Sequence, residues 1–241
     1  MNKDNILKAI NKLGKGSFKW SKPITDEEYL NTKKNIYNVN GYGIYDSTLE
    51  NRYCLLIEFP NNSGNKSLTT LLMNPSNTFP DDVINKKNVK SRFDQTIRNL
   101  IVLANALGYK QAIVLNTFSY IEGNSKEANE YCKSDKSFKK NNELNSQFIK
   151  QILISSSDIL VACGDNVKTD LYSKYFDIIK EITNNRKDKI TLYTYTKELT
   201  SKKRPRHLSL QAPQNRILYN NAIENKKLYE LIIVDNCFKL K

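Results

Sequence analysis

Ala112-Ile113-Val114-Leu115-Asn116-Thr117-Phe118 opens on four apolar residues in a row and then reaches an amide. A short apolar run without polar alternation fits a strand covered on both faces. Asp158-Ile159-Leu160-Val161-Ala162-Cys163-Gly164 repeats the pattern, and Ile190 to Thr196 supplies another strand. Helical periods separate them. Ser91-Arg92-Phe93-Asp94 resembles a capped start, with Asp94 adding negative charge to the first turn of a helix carrying Ile97, Leu100, Ile101 and Ala104, which Gly108 stops. Leu144, Phe148 and Ile152 share one face of a helix from about 138 to 154, after a polar insertion from Glu122 to Lys136. Leu171, Tyr175, Ile178, Ile179 and Ile182 mark the helix that follows Gly164. Strands and helices in alternation predict an α/β fold, a three-layer sandwich with a central parallel sheet.

Outward from this core the pattern changes. Tyr42 to Tyr45, Arg52 to Phe59 and Leu68 to Met73 read as strands, and the turn Asn61-Asn62-Ser63-Gly64-Asn65 makes the last two an N-terminal antiparallel hairpin. Arg216 to Leu231 reads as helix, with Leu231 to Val234 open between helix and strand. Residues 1–40 form a polar, lysine-rich extension in which Ile6, Ile10 and Leu13 fall at helical spacing, and Trp20 either anchors the arm onto the domain or, as an aromatic among lysines, stacks on a base. Residues 41–241 read as a single domain, without internal repeats.

Lysine and arginine number 38 against 25 acidic residues, a net charge of +13. Such an excess favours a polyanionic partner: nucleic acid, an acidic membrane surface, or an acidic protein that imitates either. It also reflects a chain rich in Lys, Asn and Ile throughout. No apolar run approaches the roughly 20 residues that cross a bilayer, so no membrane association is expected. Met1-Asn2-Lys3-Asp4-Asn5 has no apolar core of a secretory signal. Cys54, Cys132, Cys163 and Cys237 are widely spaced, which argues against a metal site or disulfide framework and for a reducing, cytoplasmic home.

In parallel sheets ligands bind beyond the carboxyl ends of the strands. Those ends are Asn74-Pro75-Ser76, Asn116-Thr117-Phe118, Gly164-Asp165-Asn166 and the segment after Thr196. Asn at a strand end most often closes a turn. Two of them at successive ends, followed by the single histidine, make a stronger pattern. That histidine lies in Lys202-Lys203-Arg204-Pro205-Arg206-His207-Leu208-Ser209-Leu210, the most cationic short run of the chain.

The order Leu72-Met73-Asn74-Pro75-Ser76, Ile97-Arg98, Gly108-Tyr109, Val114-Leu115-Asn116-Thr117-Phe118, Asn142, Val161-Ala162-Cys163-Gly164 and Pro205-Arg206-His207 resembles a bacterial family, domain of unknown function 1643, over residues 42 to 212. The same skeleton is similar to the uracil-DNA glycosylase superfamily. That resemblance implies a uracil-DNA-glycosylase-like sandwich in which Asn74 positions a water and His207 stabilises the departing base. It implies a base held by Asn116 and lying against Met73, Pro75 and an aromatic platform, Phe79 or Phe93. Ser76, Lys202, Lys203, Arg204 and Arg206 would meet the nucleic-acid backbone with Ser209, and Leu208 or Leu210 would wedge into the stack. No cofactor is implied.

The departures point away from efficient catalysis. Leu72 stands where the superfamily's first motif has glycine, no carboxylate occupies the water-activating position, and Leu208 replaces the proline of the last loop. The resemblance therefore implies a protein that binds DNA, or an acidic DNA mimic such as a uracil-DNA glycosylase inhibitor, with weak or no glycosylase activity. The alternative is an active glycosylase for uracil or a modified pyrimidine. A nucleotide-processing enzyme on the same sheet is a third possibility, since a fold does not fix chemistry.

Overall fold

A computed structural model describes residues 1–14, 17–25, 39–75, 78, 93–122, 127, 130, 136–186 and 190–241. Their core is one eight-stranded mixed sheet. The strands are β1 (Asn40–Tyr45), β2 (Arg52–Glu58), β3 (Ser67–Leu72), β4 (Gln111–Asn116), β5 (Asp158–Val161), β6 (Thr191–Thr194), β7 (Tyr229–Val234) and β8 (Cys237–Leu240), in the spatial order β1-β2-β4-β3-β5-β6-β7-β8. The inner block β4-β3-β5-β6 is parallel, and each flank adds two antiparallel strands. The helices are α1 (Lys3–Gly14), α2 (Gln95–Ala106), α3 (Lys136–Ile154), α4 (Thr169–Asn185) and α5 (Pro213–Glu224).

The mixed α/β character was legible, but the sheet is less parallel than the strand runs predict. The hairpin is also a different one. β2 pairs with β1 and with β4, and β4 separates it from β3. The Asn61–Asn65 turn therefore joins two strands that run in opposite directions without touching. Ala112, Ile113, Val114 and Leu115 are all fully buried, so β4 gains more by sitting between two strands than at an edge. At the other flank, the helix read from Arg216 to Leu231 ends at Glu224, and Tyr229 to Leu231 open β7, whose residues run on to Val234. They pair with β8 through Asp235 and Asn236, both at positive φ (51° and 58°), the backbone that a two-residue hairpin turn requires.

Side chains alternate across the strands and feed two cores. Ile113, Leu115, Ile159 and Val161 pack with Ile6 and Ile10 of α1, Phe148 and Ile152 of α3, and Tyr175 and Ile179 of α4. Ala112, Val114, Leu160 and Ala162 pack with Ile97, Leu100 and Ala104 of α2 and Tyr219 and Ala222 of α5. Trp20 bridges to Ile44, and its indole N–H donates to the Lys3 carbonyl. No helix among the described residues is long and apolar enough to cross a membrane.

Candidate functional site

The carboxyl ends of β1, β3, β4 and β5 point to one edge of the sheet. β2 runs the opposite way and therefore begins there, at Arg52. A cavity of about 310 Å³ opens at this edge, at the lower end of the range for small-molecule sites. Arg52, Leu72, Met73 and Asn74 form one wall, and Asp94, Thr96 and Ile97 at the start of α2 a second. Cys163, Gly164, Asp165 and Asn166 follow β5. Thr200, Arg206, His207, Ser209, Gln211 and Asn215 complete the lining.

His207 is positioned by its own loop. The Ser209 backbone N–H donates to His207 Nδ1 at 3.1 Å, and the Tyr195 hydroxyl donates to the His207 carbonyl at 2.9 Å. Because Nδ1 accepts, a neutral imidazole carries its proton on Nε2. Burial lowers the His207 pKa to about 4, against a raising influence from Asp94, so the ring is neutral at pH 7. The loop can approach β5 because residue 164 is glycine. Gly164 has φ +71°, and a Cβ there would lie 2.8 Å from the His207 Cβ. Its N–H donates to the Pro205 carbonyl at 3.0 Å.

Asn74 lines the same cavity, and its amide nitrogen donates to the Glu122 carbonyl. Asp94 caps α2. Its Oδ1 accepts from the Thr96 and Ile97 N–H groups at 2.8 and 3.1 Å, while the Thr78 hydroxyl donates to Oδ2 at 2.9 Å. Asp165 Oδ1 accepts from the Thr200 hydroxyl at 2.6 Å. Both carboxylates that face the cavity are thus engaged in holding loops. The Cys163 thiol is pushed up to about 12 by burial, which leaves no thiolate to act as a nucleophile at neutral pH.

Several expected contacts lie elsewhere. Asn116 is buried and does not line the cavity. Its side-chain amide nitrogen has no partner among the described residues, and its backbone carbonyl accepts from Asn145 Nδ2 at 2.9 Å. Met73 reaches the cavity, whereas buried Pro75 does not. Ser76 and Phe79 fall outside the described residues, and Phe93 is fully buried in the α2-side core.

The cationic run divides in two. Arg204 is 6% exposed, donates to the Val167 carbonyl at 2.8 Å, and lies 3.8 Å over the Tyr172 ring. It is not available to a phosphate, because its charge and planar face are already spent inside the protein. Arg206 pairs with Glu198 at 3.3 Å and donates to Asn215 at 3.1 Å. Lys202 and Lys203 remain exposed beside this loop. Leu208 is fully buried in the α2-side core, where Asn99 Nδ2 donates to its carbonyl at 2.6 Å. It therefore cannot serve as an exposed wedge. Leu210, half-buried at φ 55°, packs against the same core.

Several lining residues escaped the sequence reading, among them Arg52, Asp94, Thr200, Gln211 and Asn215. Arg52 was read only as the start of a strand and Asp94 only as a charge at the capped start of a helix. The available signal was a cation heading an otherwise apolar run, Arg52-Tyr53-Cys54-Leu55-Leu56-Ile57. Among the described residues no cluster of side chains could hold a metal ion.

The model of a protein family, described as a protein of unknown function (DUF1643), matches residues 52–207. That span opens on Arg52 and closes on His207. Comparison with curated proteins finds no match, and comparison with solved structures finds none either.

Proposed function

The chain belongs to the DUF1643 family, whose description names no activity, and from that premise we propose that it is a uracil-DNA-glycosylase-like protein. In this reading it binds DNA, or an acidic protein that imitates DNA, and admits an extruded base to the cavity of Asn74 and His207, with weak or no excision. The observation that carries the reading is the shared cavity. Asn74 and His207 lie 133 residues apart in the chain, yet both line one concave space at the strand ends.

Excision of a base breaks the bond between a ring nitrogen and the sugar C1′, and the bonding electrons leave with the base. Water then adds to C1′ and gives up a proton. His207, neutral with Nε2–H as donor, suits the first step, because a hydrogen bond to the departing anion strengthens as charge develops. One such donor is worth roughly 2.7–4 kcal/mol of transition-state stabilisation. The second step is poorly served. Asn74 orients water but is a weak base, and its amide is tied to Glu122. Asp94 has both oxygens engaged in the helix cap and Thr78. Leu72 narrows the cavity where a glycine would leave room. These features favour binding over turnover.

The alternative, an active glycosylase for uracil or a modified pyrimidine, is favoured by the fixed neutral tautomer of His207. Oligonucleotides carrying uracil or modified pyrimidines, single- and double-stranded, separate the two after alkaline cleavage. The binding reading predicts retention of the oligonucleotides without strand breaks. Abasic sites that vanish in His207→Ala and Asn74→Ala would establish the active enzyme instead. Neither breaks nor binding, with DNA or with an acidic DNA-mimic protein, would remove both.

A further inference from the structure

Among the described residues, Arg52 is a buried cation with no carboxylate at ion-pair distance. It is 1% exposed, yet it lines the cavity. Its guanidinium offers five N–H donors. Nη1 donates to the Thr78 carbonyl at 3.3 Å, and the Tyr45 hydroxyl meets the same group. Nε is buried with no hydrogen-bond partner among the described residues. Asp94, the carboxylate at the start of α2, keeps its charge nearby but turns its oxygens to two backbone N–H groups and the Thr78 hydroxyl, and no ion pair joins it to Arg52. A buried charge left without a partner is among the costliest features a core can carry. It persists where a ligand of opposite sign completes it.

The other lining groups fit an anion that extends into a polar, planar ligand. Gln211, Asn215 and the Ser209 hydroxyl offer neutral donors and acceptors, and His207 offers Nε2–H. Arg206 already has Glu198 as its counter-ion, which leaves Arg52 as the lining cation without one among the described residues. A guanidinium fork matches the two oxygens of a carboxylate or phosphate better than any single acceptor.

We propose that Arg52 binds an oxyanion of the cavity's ligand, so that the ligand is a negatively charged nucleobase or nucleotide, resting on the base-binding reading for the kind of ligand but not for the anion site itself. The oxyanion is either a carboxylate carried on the base or a terminal phosphate carried on the sugar. Both present the same geometry to Arg52.

Calorimetric titrations with uracil, 5-carboxyuracil, deoxyuridine, deoxyuridine 5′-monophosphate and inorganic phosphate test this. The folded chain is expected to bind one charged compound at least tenfold more tightly than its uncharged counterpart. A preference within the first pair identifies a carboxylated base, and within the second a terminal phosphate. Arg52→Gln is expected to bring the charged and uncharged compounds to within about twofold of each other, and Arg52→Lys to keep only part of the preference, since charge stays and the fork goes. Circular dichroism and thermal melts establish that each variant is folded. Should Arg52→Gln fail to fold, the wild-type preference and Arg52→Lys decide.

Equal binding of charged and uncharged partners, a preference that survives Arg52→Gln, or no binding of any probe overturns the proposal. Arg52-dependent binding of inorganic phosphate with no affinity for the four base-containing compounds keeps the anion site and removes the base reading.

Discussion

His207 holds its proton on Nε2 because the Ser209 backbone N–H occupies Nδ1, and burial keeps the ring from taking a second proton until about pH 4. The unfolded chain, with an ordinary histidine, takes up that proton near pH 6.5. Between those values the unfolded state binds more protons than the folded one, so stability present at pH 7 is lost as the pH falls from 6.5 towards 4. Each unit of difference is about 1.4 kcal/mol, which puts the loss between pH 7 and 4.5 at about 2 kcal/mol. His207→Asn keeps an acceptor for the Ser209 N–H and has nothing to titrate in this range. Urea unfolding at pH 7 and pH 4.5 should therefore show a smaller drop in the variant than in the wild type, by about that amount. Equal drops would mean that the folded chain protonates His207 as readily as the unfolded one. The histidine was legible in the sequence because it is unique and follows a strand. The fate of Arg204 was not. A run of four cations reads as a solvated face, and only the approach of Tyr172 and the Val167 carbonyl turns one of them inward.

Gly164 ends β5 and decides how closely the His207 loop can lie against the sheet. Its φ of +71° is strained for any residue with a Cβ, and a Cβ would also meet His207. Gly108, at the end of α2, supplies the control, with φ +75° and nothing within 4 Å of where a Cβ would lie. Gly108→Ala should cost only the backbone term, about 1–2 kcal/mol. Gly164→Ala should cost that and more, and should weaken ligand binding in the cavity because His207 is pushed aside, while Gly108→Ala leaves binding intact. Denaturant midpoints with titration of the best ligand read both effects, and equal behaviour of the two variants would show that the His207 contact is relaxed without cost. At this scale α2, its capped start and its Gly108 stop follow from local chemistry and were legible, while the cap itself falls on Asp94. The pairing of β2 was not, because a short polar turn between two apolar runs looks the same whether the strands touch or a third strand slips between them. The β7–β8 hairpin was hidden for a related reason. Leu231-Ile232-Ile233-Val234 extends a helical pattern until the positive φ angles at Asp235 and Asn236 turn the chain back.

Across the whole molecule the net charge of +13 sets a long-range attraction for polyanions, but the geometry decides which cations convert it into contacts. Of the four in the His207 loop, Arg204 is buried and Arg206 is paired with Glu198, which leaves Lys202 and Lys203 exposed. Each cation that neutralises a phosphate of duplex DNA steepens the fall of log affinity with log salt by about 0.9. Replacing both lysines by glutamine should flatten the slope by up to about 2, with little change in thermal stability, since exposed lysines contribute little to folding. Arg204→Gln should do the reverse, lowering stability through the lost contacts to Val167 and Tyr172 while leaving the slope of the folded protein unchanged. Anisotropy of a labelled duplex across a salt series, paired with thermal melts, reads both quantities. A slope unmoved by the lysine pair would place any duplex contact on another face of the molecule and separate polyanion binding from the Arg52–His207 cavity. A flattened slope would bring the two together, with the lysines holding the backbone beside the cavity that takes the base.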